Sequence, residues 1–295
     1  ITGQYSHNHG VISIIPPSTW PQNESNHLGT WMQGRGYQTA IIGKSYYYPG
    51  YDPMPGWNMS QLMAPAYFNY TINNNGAVET YGSAAADYST DVLAAKAASF
   101  IAAKAGGPFL LWLTLNAPHD PFIPAPRHAA AYADLIPPLD PSINEGDLSD
   151  KPAWMRALPA LGPAGSNVYG TWIVPKHRDR MRTLLAVDEA LATVSNALTA
   201  AGVTSNTFII LTSDNGYMRG QHRVPYNKEN QTEPSLRVPL FVLGPGVLPE
   251  ITRGDLVLNI DLTATIGELA GATPGRAQDG KSLVPLLTQA SPPAH

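Results

Sequence analysis

The sequence predicts an α/β fold, in which a mostly parallel central sheet is flanked by helices as in layered α/β proteins. Helix-like and strand-like segments alternate along the 295 residues, and 43% of the residues are hydrophobic, enough for a sizeable core. Two runs, PFLLWLTL at 108–115 and NTFIILTS at 206–213, read as central strands that are buried on both faces. We expect one domain over 1–295, with a smaller C-terminal part over about 245–295.

The segments before residue 108 carry clear local signals. A capped helix is predicted within 23–37, ending at Gly34 or Gly36, and a short buried strand follows at 38–44. Alternating apolar residues around Asn-Asn-Asn-Gly predict a hairpin over 67–82. A helix over 89–107 follows, with Ser89 or Thr90 as its cap.

The segments after residue 119 differ in how clearly their sequence predicts a secondary structure. Residues 120–175 are rich in Pro and Ala and show little periodicity, which is typical of a functional or wrapping loop. A long helix is predicted over 177–202, and two further strands over 237–247 and 254–260. A last helix over 261–271 would be capped by Asp261 or Thr263.

The composition restricts the classes of function. Only 14% of residues are charged and the net charge is −4, with no basic block, so nucleic acid is a poor partner. No apolar run is long enough to span a membrane. The chain contains no cysteine, which excludes disulfides, thiolate metal sites and a cysteine nucleophile within it.

Polar residues follow the two predicted central strands. His119 lies just after the first strand, and Asp214 and Asn215 directly follow the second. Ligands of open parallel sheets bind beyond the carboxyl ends of the strands, so these side chains could converge. The oxygens of Asp214 and Asn215 suit Ca²⁺ or Mg²⁺. The alternatives are an ordinary Asp-Asn-Gly turn and a histidine that only packs or forms hydrogen bonds.

A cationic stretch follows the Asp-Asn pair. His222, Arg223, Lys228 and Arg237 are cationic or can become so. Such a cluster favours a tetrahedral anion such as a sulfate or phosphate ester. The alternative is a solvated loop with ordinary charges.

In combination these motifs resemble the sulfatase family of the alkaline phosphatase superfamily. The resemblance rests on NAPHDPF, GYQTAIIGK, TSDNG, GQHR, EPSLRVPLFVLGPGV, NIDLTATIGELAG and DGKSLVPLL, which occur in the family's order over nearly the whole chain. The stretches GSAAADYSTDVLAAKAASFI and SDKPAWMRALP look closest to bacterial sulfatases related to N-acetylglucosamine-6-sulfatases. The resemblance therefore implies a hydrolase of sugar or aryl sulfate esters.

The resemblance also implies roles for single residues. Asp214 and Asn215 match metal ligands, His119 matches the histidine that holds the sulfate or the leaving-group oxygen, and Lys228 matches a lysine that binds a sulfate oxygen. Lys44 matches the lysine that steadies the nucleophile and the sulfate. His222 joins the catalytic set, and Tyr46, Tyr47 and Arg237 are expected to bind substrate.

One position departs from the family. Many members place a histidine two or three residues after the lysine that Lys44 matches, where this chain has Tyr46 and Tyr47. Tyrosine, with an ordinary pKa of about 10, is a poor base at neutral pH. This departure weakens the assignment of the family histidine's acid–base role to Tyr46 or Tyr47.

The first residues, ITGQYSHNHG, look like the end of a motif. In the family a Cys- or Ser-x-Pro-Ser-Arg motif, source of the formylglycine nucleophile, precedes such a stretch, and a first strand upstream supplies two metal-binding Asp residues. We therefore expect this chain to be an incomplete form. Ca²⁺ or Mg²⁺ is expected in an intact member, and is expected to bind weakly or not at all here.

Two further expectations concern assembly and location. An unpaired sheet edge favours a homodimer or a folded-back N-terminus, and the family favours a periplasmic or secreted location. Two alternatives to a sulfatase stay open: a promiscuous phosphate or carboxylic ester hydrolase, with extra ligands from His7, His9 or His222, and a non-catalytic module that binds an anion or glycan.

Overall fold

The computed structural model describes residues 1–13, 25–45, 54–163, 165–225, 228 and 230–295. It confirms the predicted α/β class, with helices flanking a five-stranded sheet. The α-helices are α1 Ser6–His9, α2 Leu28–Gly34, α3 Ser89–Lys104, α4 Ala153–Arg156, α5 Val174–Ala200, α6 Glu233–Leu236, α7 Asn259–Leu269 and α8 Val284–Thr288. The strands are β1 Gln38–Lys44, β2 Met59–Met63, β3 Tyr70–Asn74, β4 Ala77–Tyr81, β5 Phe109–Thr114, β6 Ile209–Thr212 and β7 Leu240–Leu243. Short 3₁₀ turns occur at Ala85–Asp87, Pro126–His128 and Thr204–Asn206, and a π-helical turn at Tyr169–Ile173 precedes α5.

The residues group into two compact units. The first unit comprises 1–116, 187–208 and 242–295, and the second comprises 117–186 and 209–241. The prediction of one domain with a smaller part over about 245–295 stays a prediction.

The five-stranded sheet belongs to the first unit and has the order β4-β3-β2-β1-β5. Strand β1 is parallel to both neighbours, with Ile41 opposite Ser60 on β2 and Trp112 on β5. The hairpin of β3 and β4 is confirmed, and its turn places Asn75 and Gly76 at positive φ. Such left-handed positions favour Asn and Gly, which explains the strength of the sequence signal.

The core of the first unit lies between this sheet and α3. Ile42 and Ile72 from the sheet pack with Leu93, Ala97 and Phe100 from α3, and all five are almost completely buried. Full burial of a large side chain of this kind contributes about 1.5–3 kcal/mol. The spacing of the three α3 residues places them on one helical face, so the sequence pattern and the packing agree.

In the second unit, the long segment over 120–175 is mostly irregular, as its composition predicts. Helix α5 fixes part of it through two arginines. The Arg178 Nε donates to the Leu135 carbonyl at 2.7 Å, and the Arg182 Nε donates to the Ala131 carbonyl at 2.6 Å. The loop therefore has defined partners for its backbone, although it lacks regular structure.

Several sequence-based boundaries were wrong. Strand β5 is an edge strand of its sheet within the described residues, and β6 pairs only with β7, so neither is central there. No strand forms over 254–258, where the Leu256 side chain is 86% exposed. Helix α7 begins at Asn259, and Asp261 lies inside its first turn, where its carboxylate accepts the Leu258 N–H.

Helix α3 likewise begins one residue earlier than predicted. Ser89 is its first residue, and Tyr88, which makes no side-chain capping bond, precedes it. Strand β2 was not predicted at all.

The N-terminal residues form no strand. Asp279 accepts the Tyr5 N–H at 2.7 Å and the Asn8 amide at 2.8 Å, and so holds α1 in the first unit. The homodimer stays a prediction. Over the described residues, no helix is both long and apolar enough to cross a membrane.

The Glu79 carboxylate provides a pH-dependent contribution to the first unit. It accepts hydrogen bonds from Lys96 Nζ at 2.6 Å and from Tyr81 and Asn74 at 2.8 Å. The bond from Lys96, ahead of the others, lowers the pKa of Glu79 from 4.5 to about 2. A lowered acid pKa stabilises the folded state above the ordinary value, and this contribution is lost as the pH falls through the folded value.

We expect Glu79→Gln to lower the free energy of unfolding at neutral pH and to reduce its loss between pH about 4.5 and about 2. Urea denaturation over a pH series measures this. Glu268→Gln, on the exposed side of α7, is the matched control. If the Glu79→Gln variant lost as much unfolding free energy as wild type between pH about 4.5 and about 2, the stabilising role of the Glu79 carboxylate would be contradicted.

Candidate functional site

The Asp214-Asn215 turn directly follows β6. Asp214 is exposed and Asn215 is half-buried. The Ser213 hydroxyl donates to the Asn215 carbonyl at 2.9 Å, and Asn215 Nδ2 donates to the Gly216 carbonyl at 2.8 Å. Because the amide nitrogen is used in this way, Asn215 Oδ1 is the side-chain atom that remains for a ligand.

Gly216 lets two loops of the second unit approach closely. A Cβ at this position would lie 2.1 Å from the Pro234 carbonyl oxygen, so only glycine fits. The Gly216 N–H donates to the Ser235 carbonyl at 2.8 Å, and the Ser235 hydroxyl donates to the Lys228 carbonyl. This places the backbone of Lys228 near the Asp-Asn turn. Arg237 is exposed and follows Ser235 by two residues.

His119 lies on a loop that contacts the loop after the Asp-Asn turn. Its Nδ1 is 2.6 Å from the Asp120 carbonyl oxygen. Three residues later, the Phe122 ring packs edge-on against Tyr217, with 5.7 Å between ring centroids. Because Tyr217 follows Asn215 by two residues, the predicted sulfate-holding and metal-binding loops meet in the second unit.

His222 has a carboxylate partner. Its Nδ1 lies 2.7 Å from Glu145 Oε2, and its backbone N–H donates to the Ser142 carbonyl at 2.7 Å. The neighbouring Arg223 donates to the carbonyls of Glu145 and Gly146. These two side chains therefore anchor the 142–146 loop, a contact that the sequence did not indicate.

The remaining predicted residues lie elsewhere. Lys44 is the last residue of β1 and is half-buried in the first unit. Tyr46 and Tyr47 lie outside the described residues.

A pocket that the sequence reasoning missed lies in the second unit, next to the contact between Phe122 and Tyr217. Its cavity volume is about 20 Å³, the space of one or two water molecules, and its accessible lining is almost entirely apolar. We call it the cationic pocket. It is lined by Phe122, Trp172, Ile173, Lys176, His177, Arg180, Tyr217 and Arg219.

Three cations and three aromatic rings share this pocket. Lys176 Nζ lies 5.9 Å from the Phe122 centroid, and the Arg180 guanidinium lies 5.2 Å from the Tyr217 centroid. Arg219 donates to His177 Nδ1 at 2.9 Å. Burial, ahead of the charges of Arg219 and Arg180, lowers the pKa of His177, so this histidine is neutral at neutral pH.

A sequence signal for the cationic pocket existed. Trp172, Lys176 and Arg180 recur at intervals of four residues. This spacing places them on one face of the π-helical turn and the first turns of α5. The contact of this face with Tyr217 and Phe122 depends on the tertiary fold.

The Asp-Asn turn fits part of a metal shell. A carboxylate and an amide oxygen are hard ligands that suit Ca²⁺ or Mg²⁺, and Asn215 Oδ1 is available for such a role. Calcium takes about six to eight oxygens. Among the described residues, no three or more His, Cys, Asp or Glu side chains form a metal-binding group. The turn could therefore supply two of the required ligands.

Comparison with known families gives one clear match. The family described as Sulfatase matches residues 1–272. The human protein named N-acetylglucosamine-6-sulfatase is 33% identical over 99% of this chain and 55% of its own length. The Drosophila melanogaster protein named extracellular sulfatase SULF-1 homolog is 31% identical over 97% of this chain and 26% of its own length.

A solved structure supports the same fold. A protein crystallised with its substrate, D-glucosamine-2-N,6-O-disulfate, matches 98% of this chain and 69% of its own length with a TM-score of 0.75. At 23% sequence identity this likeness shows the fold alone. The chain spans only part of both relatives named above, about half of the human one.

Proposed function

Because the chain belongs to the sulfatase family, we propose that it contributes to the hydrolysis of sulfate esters. The observation that carries this proposal is the meeting of two loops in the second unit. The Asp214-Asn215 turn and the His119 loop are joined through the rings of Phe122 and Tyr217, beside the cationic pocket. This arrangement offers hard oxygen ligands and cations, which can stabilise the negative charge on the oxygens of a sulfate ester as its S–O bond breaks.

The proposed roles of the residues follow from their chemistry. Asp214 and Asn215 would hold a divalent cation, which when bound supplies positive charge to the sulfate group. Lys228 would donate to a sulfate oxygen as a point charge. His119 would hold the sulfate or donate to the oxygen of the departing alcohol. Lys44 would steady the nucleophile and the sulfate.

A sulfated sugar is the substrate class that we favour. The name of the human relative points to a 6-sulfated amino sugar. One relative is named as an extracellular sulfatase, which supports a periplasmic or secreted location for this protein.

We expect this chain of 295 residues to hydrolyse aryl sulfates at a small fraction of the rate of a family member that carries the formylglycine motif. Ordinary family turnover needs a formylglycine nucleophile, and this chain has no cysteine and no serine in an x-Pro-Ser-Arg context. Residual activity should fall on activated esters, where electrostatic stabilisation contributes without a covalent step.

Steady-state assays with nitrophenyl sulfate, phosphate and acetate, on this chain and on a family member that carries the motif, test the proposal. Rapid sulfate hydrolysis by this chain would identify a different nucleophile. Turnover of only the phosphate or acetate ester by this chain would replace the proposed function by a promiscuous esterase. No turnover at all, with sugar binding retained, would favour a non-catalytic module.

A further inference from the structure

We propose that Ser235 is a positioning residue, which fixes the backbone of Lys228 relative to the Asp214-Asn215 turn by bonding to both sides. The inference rests on the proposed function, in which Lys228 donates to a sulfate oxygen and the turn holds a divalent cation. It assigns a role to a buried serine that would itself contact neither the metal nor the substrate.

The first step of the argument is the burial of Ser235. This residue lies on α6 and is only 2% exposed. A hydroxyl that is buried to this extent costs free energy unless it forms a hydrogen bond. The Ser235 hydroxyl donates to the carbonyl of Lys228, seven residues earlier. The fold therefore satisfies this hydroxyl through the backbone of the candidate sulfate-binding residue.

The second step is the backbone of Ser235, which bonds to the other side of the site. Its carbonyl accepts the Gly216 N–H at 2.8 Å, and the neighbouring Pro234 carbonyl accepts the Tyr217 N–H at 2.6 Å. Gly216 directly follows Asn215, so these two bonds hold the end of the Asp-Asn turn against α6. One residue thus bonds to the turn through its main chain and to Lys228 through its side chain.

The third step is the attachment of α6 itself. Thr232, which precedes this helix, accepts the Ser235 N–H at 2.9 Å through its carbonyl, and its hydroxyl oxygen lies 3.0 Å from the Met218 sulfur. Met218 is fully buried and follows Asn215 by three residues. The segment after the Asp-Asn turn therefore contacts α6 at its start as well as at Ser235, which restricts movement of the serine hydroxyl.

The fourth step is the chemistry of lysine. Its ammonium sits at the end of a flexible four-carbon stem, so the place where its backbone is held limits where the charge can act. A sulfate that is bound by a lysine and by a metal at once needs a defined separation between the two groups. The alternative is a serine that only satisfies a nearby carbonyl. In that case, loss of its hydroxyl would change stability and would not act through Lys228.

Trypsin cleavage of the folded protein, followed by mass spectrometry, tests the contact. Ser235→Ala removes the hydroxyl but keeps the backbone bond to Gly216. We expect cleavage after Lys228 to become about tenfold faster in this variant, because the lost bond makes local opening easier. Cleavage after Arg156, at an exposed position on α4, is the internal reference for global unfolding and should not change. An equal rate of cleavage after Lys228 in the variant and in wild type would overturn the inference.

A double-mutant cycle tests the role in the reaction. In the protein expressed from its own gene, Ser235→Ala is expected to lower kcat/KM for nitrophenyl sulfate by about tenfold. The same change should have no further effect in a Lys228→Ala background, because a residue that acts through Lys228 is coupled to it. Wild-type kinetics of the folded Ser235→Ala variant would overturn the inference, as would equal losses with and without the Lys228 side chain.

Thr183→Val is the matched control. Thr183 is also fully buried in the second unit, and its hydroxyl donates to the Arg180 carbonyl at 2.7 Å. Its loss should change neither the cleavage after Lys228 nor kcat/KM. Ser235→Cys keeps a similar side-chain shape with only a weak donor, and it is measured against the same criteria if the alanine variant does not fold.

The two measurements separate this inference from the proposed function. If wild type releases no sulfate but Ser235→Ala speeds cleavage after Lys228, the proposed function is refuted and the contact between Ser235 and Lys228 stands. If wild type releases sulfate but Ser235→Ala changes neither the cleavage nor kcat/KM, the positioning role is refuted and the sulfatase proposal stands.

Discussion

Asp214→Ala is expected to lower kcat/KM for sulfate ester hydrolysis by about 10²–10³-fold, because it removes the charged ligand from the proposed metal site. Asp214 is exposed after the end of β6, next to a turn whose backbone is held by hydrogen bonds from the Gly216 N–H to Ser235 and from the Tyr217 N–H to Pro234. These backbone bonds remain when Asp214 is replaced, and the 3.4 Å contact of the Ser213 hydroxyl with Asp214 Oδ1 is long. The loss should therefore appear in activity and metal affinity, and the fold should be retained.

The measurement uses the protein expressed from its own gene. Nitrophenyl sulfate turnover and calcium binding by calorimetry are compared with thermal melting. Asp134→Ala, at an exposed position of the second unit, is the control for loss of one carboxylate and should behave as wild type. High calcium should restore part of the lost activity. Full activity and unchanged calcium affinity in the Asp214 variant would refute its role as a ligand.

The sequence could predict the Asp-Asn turn because its signal is local. An apolar strand that ends in polar oxygens and a glycine has few structural solutions, and the structure shows a strand, a turn and a glycine in close contact with a facing backbone. The hairpin of β3 and β4 was predictable for the same reason, since Asn75 and Gly76 themselves adopt the left-handed conformation.

Other features depend on partners that are remote in sequence. Strand β2 was missed because Ser60 and Gln61 are polar, yet the sheet buries both almost completely. Conversely, residues 254–258 looked like a strand, but no ladder forms there and Leu256 is exposed. Local propensity decides neither case, because burial against neighbouring strands outweighs it.

The candidate site also combines features with a local sequence signal and features that depend on partners remote in sequence. The pairing of His222 with Glu145 joins residues that are 77 positions apart, so a charge count could not separate His222 from cations that face a ligand. The cationic pocket likewise needs Phe122 and Tyr217 to meet. The helical repeat of Lys176 and Arg180 could be read from the sequence, but its purpose could not.

His119→Ala is expected to have the second large effect, and its size should depend on the leaving group. If His119 donates to the oxygen of the departing alcohol, hydrolysis of a sugar sulfate should slow by about 10²–10⁴-fold, because general acid catalysis matters most for a poor leaving group. Nitrophenyl sulfate needs little protonation and should be affected much less. If His119 holds the sulfate itself, both substrates should slow by a similar factor.

The structure makes His119 a suitable position for this test. Its side chain is exposed, and its Nδ1 lies 2.6 Å from the Asp120 carbonyl oxygen. If Nδ1 donates its proton to that carbonyl, Nε2 can donate to the departing oxygen only when both ring nitrogens carry a proton. Because the ring is not packed in the core, its removal should leave the melting temperature nearly unchanged, and a loss of kcat can be assigned to chemistry.

The control is His7→Ala, since His7 is also exposed but lies in the first unit, where its ring stacks on Tyr5. Parallel kinetics of both variants on the sugar and aryl sulfates distinguish the two mechanisms. A loss of activity in the His7 variant with none in the His119 variant would favour the alternative in which N-terminal histidines hold the metal. Wild-type kinetics of the His119 variant on both substrates would remove this residue from the reaction altogether.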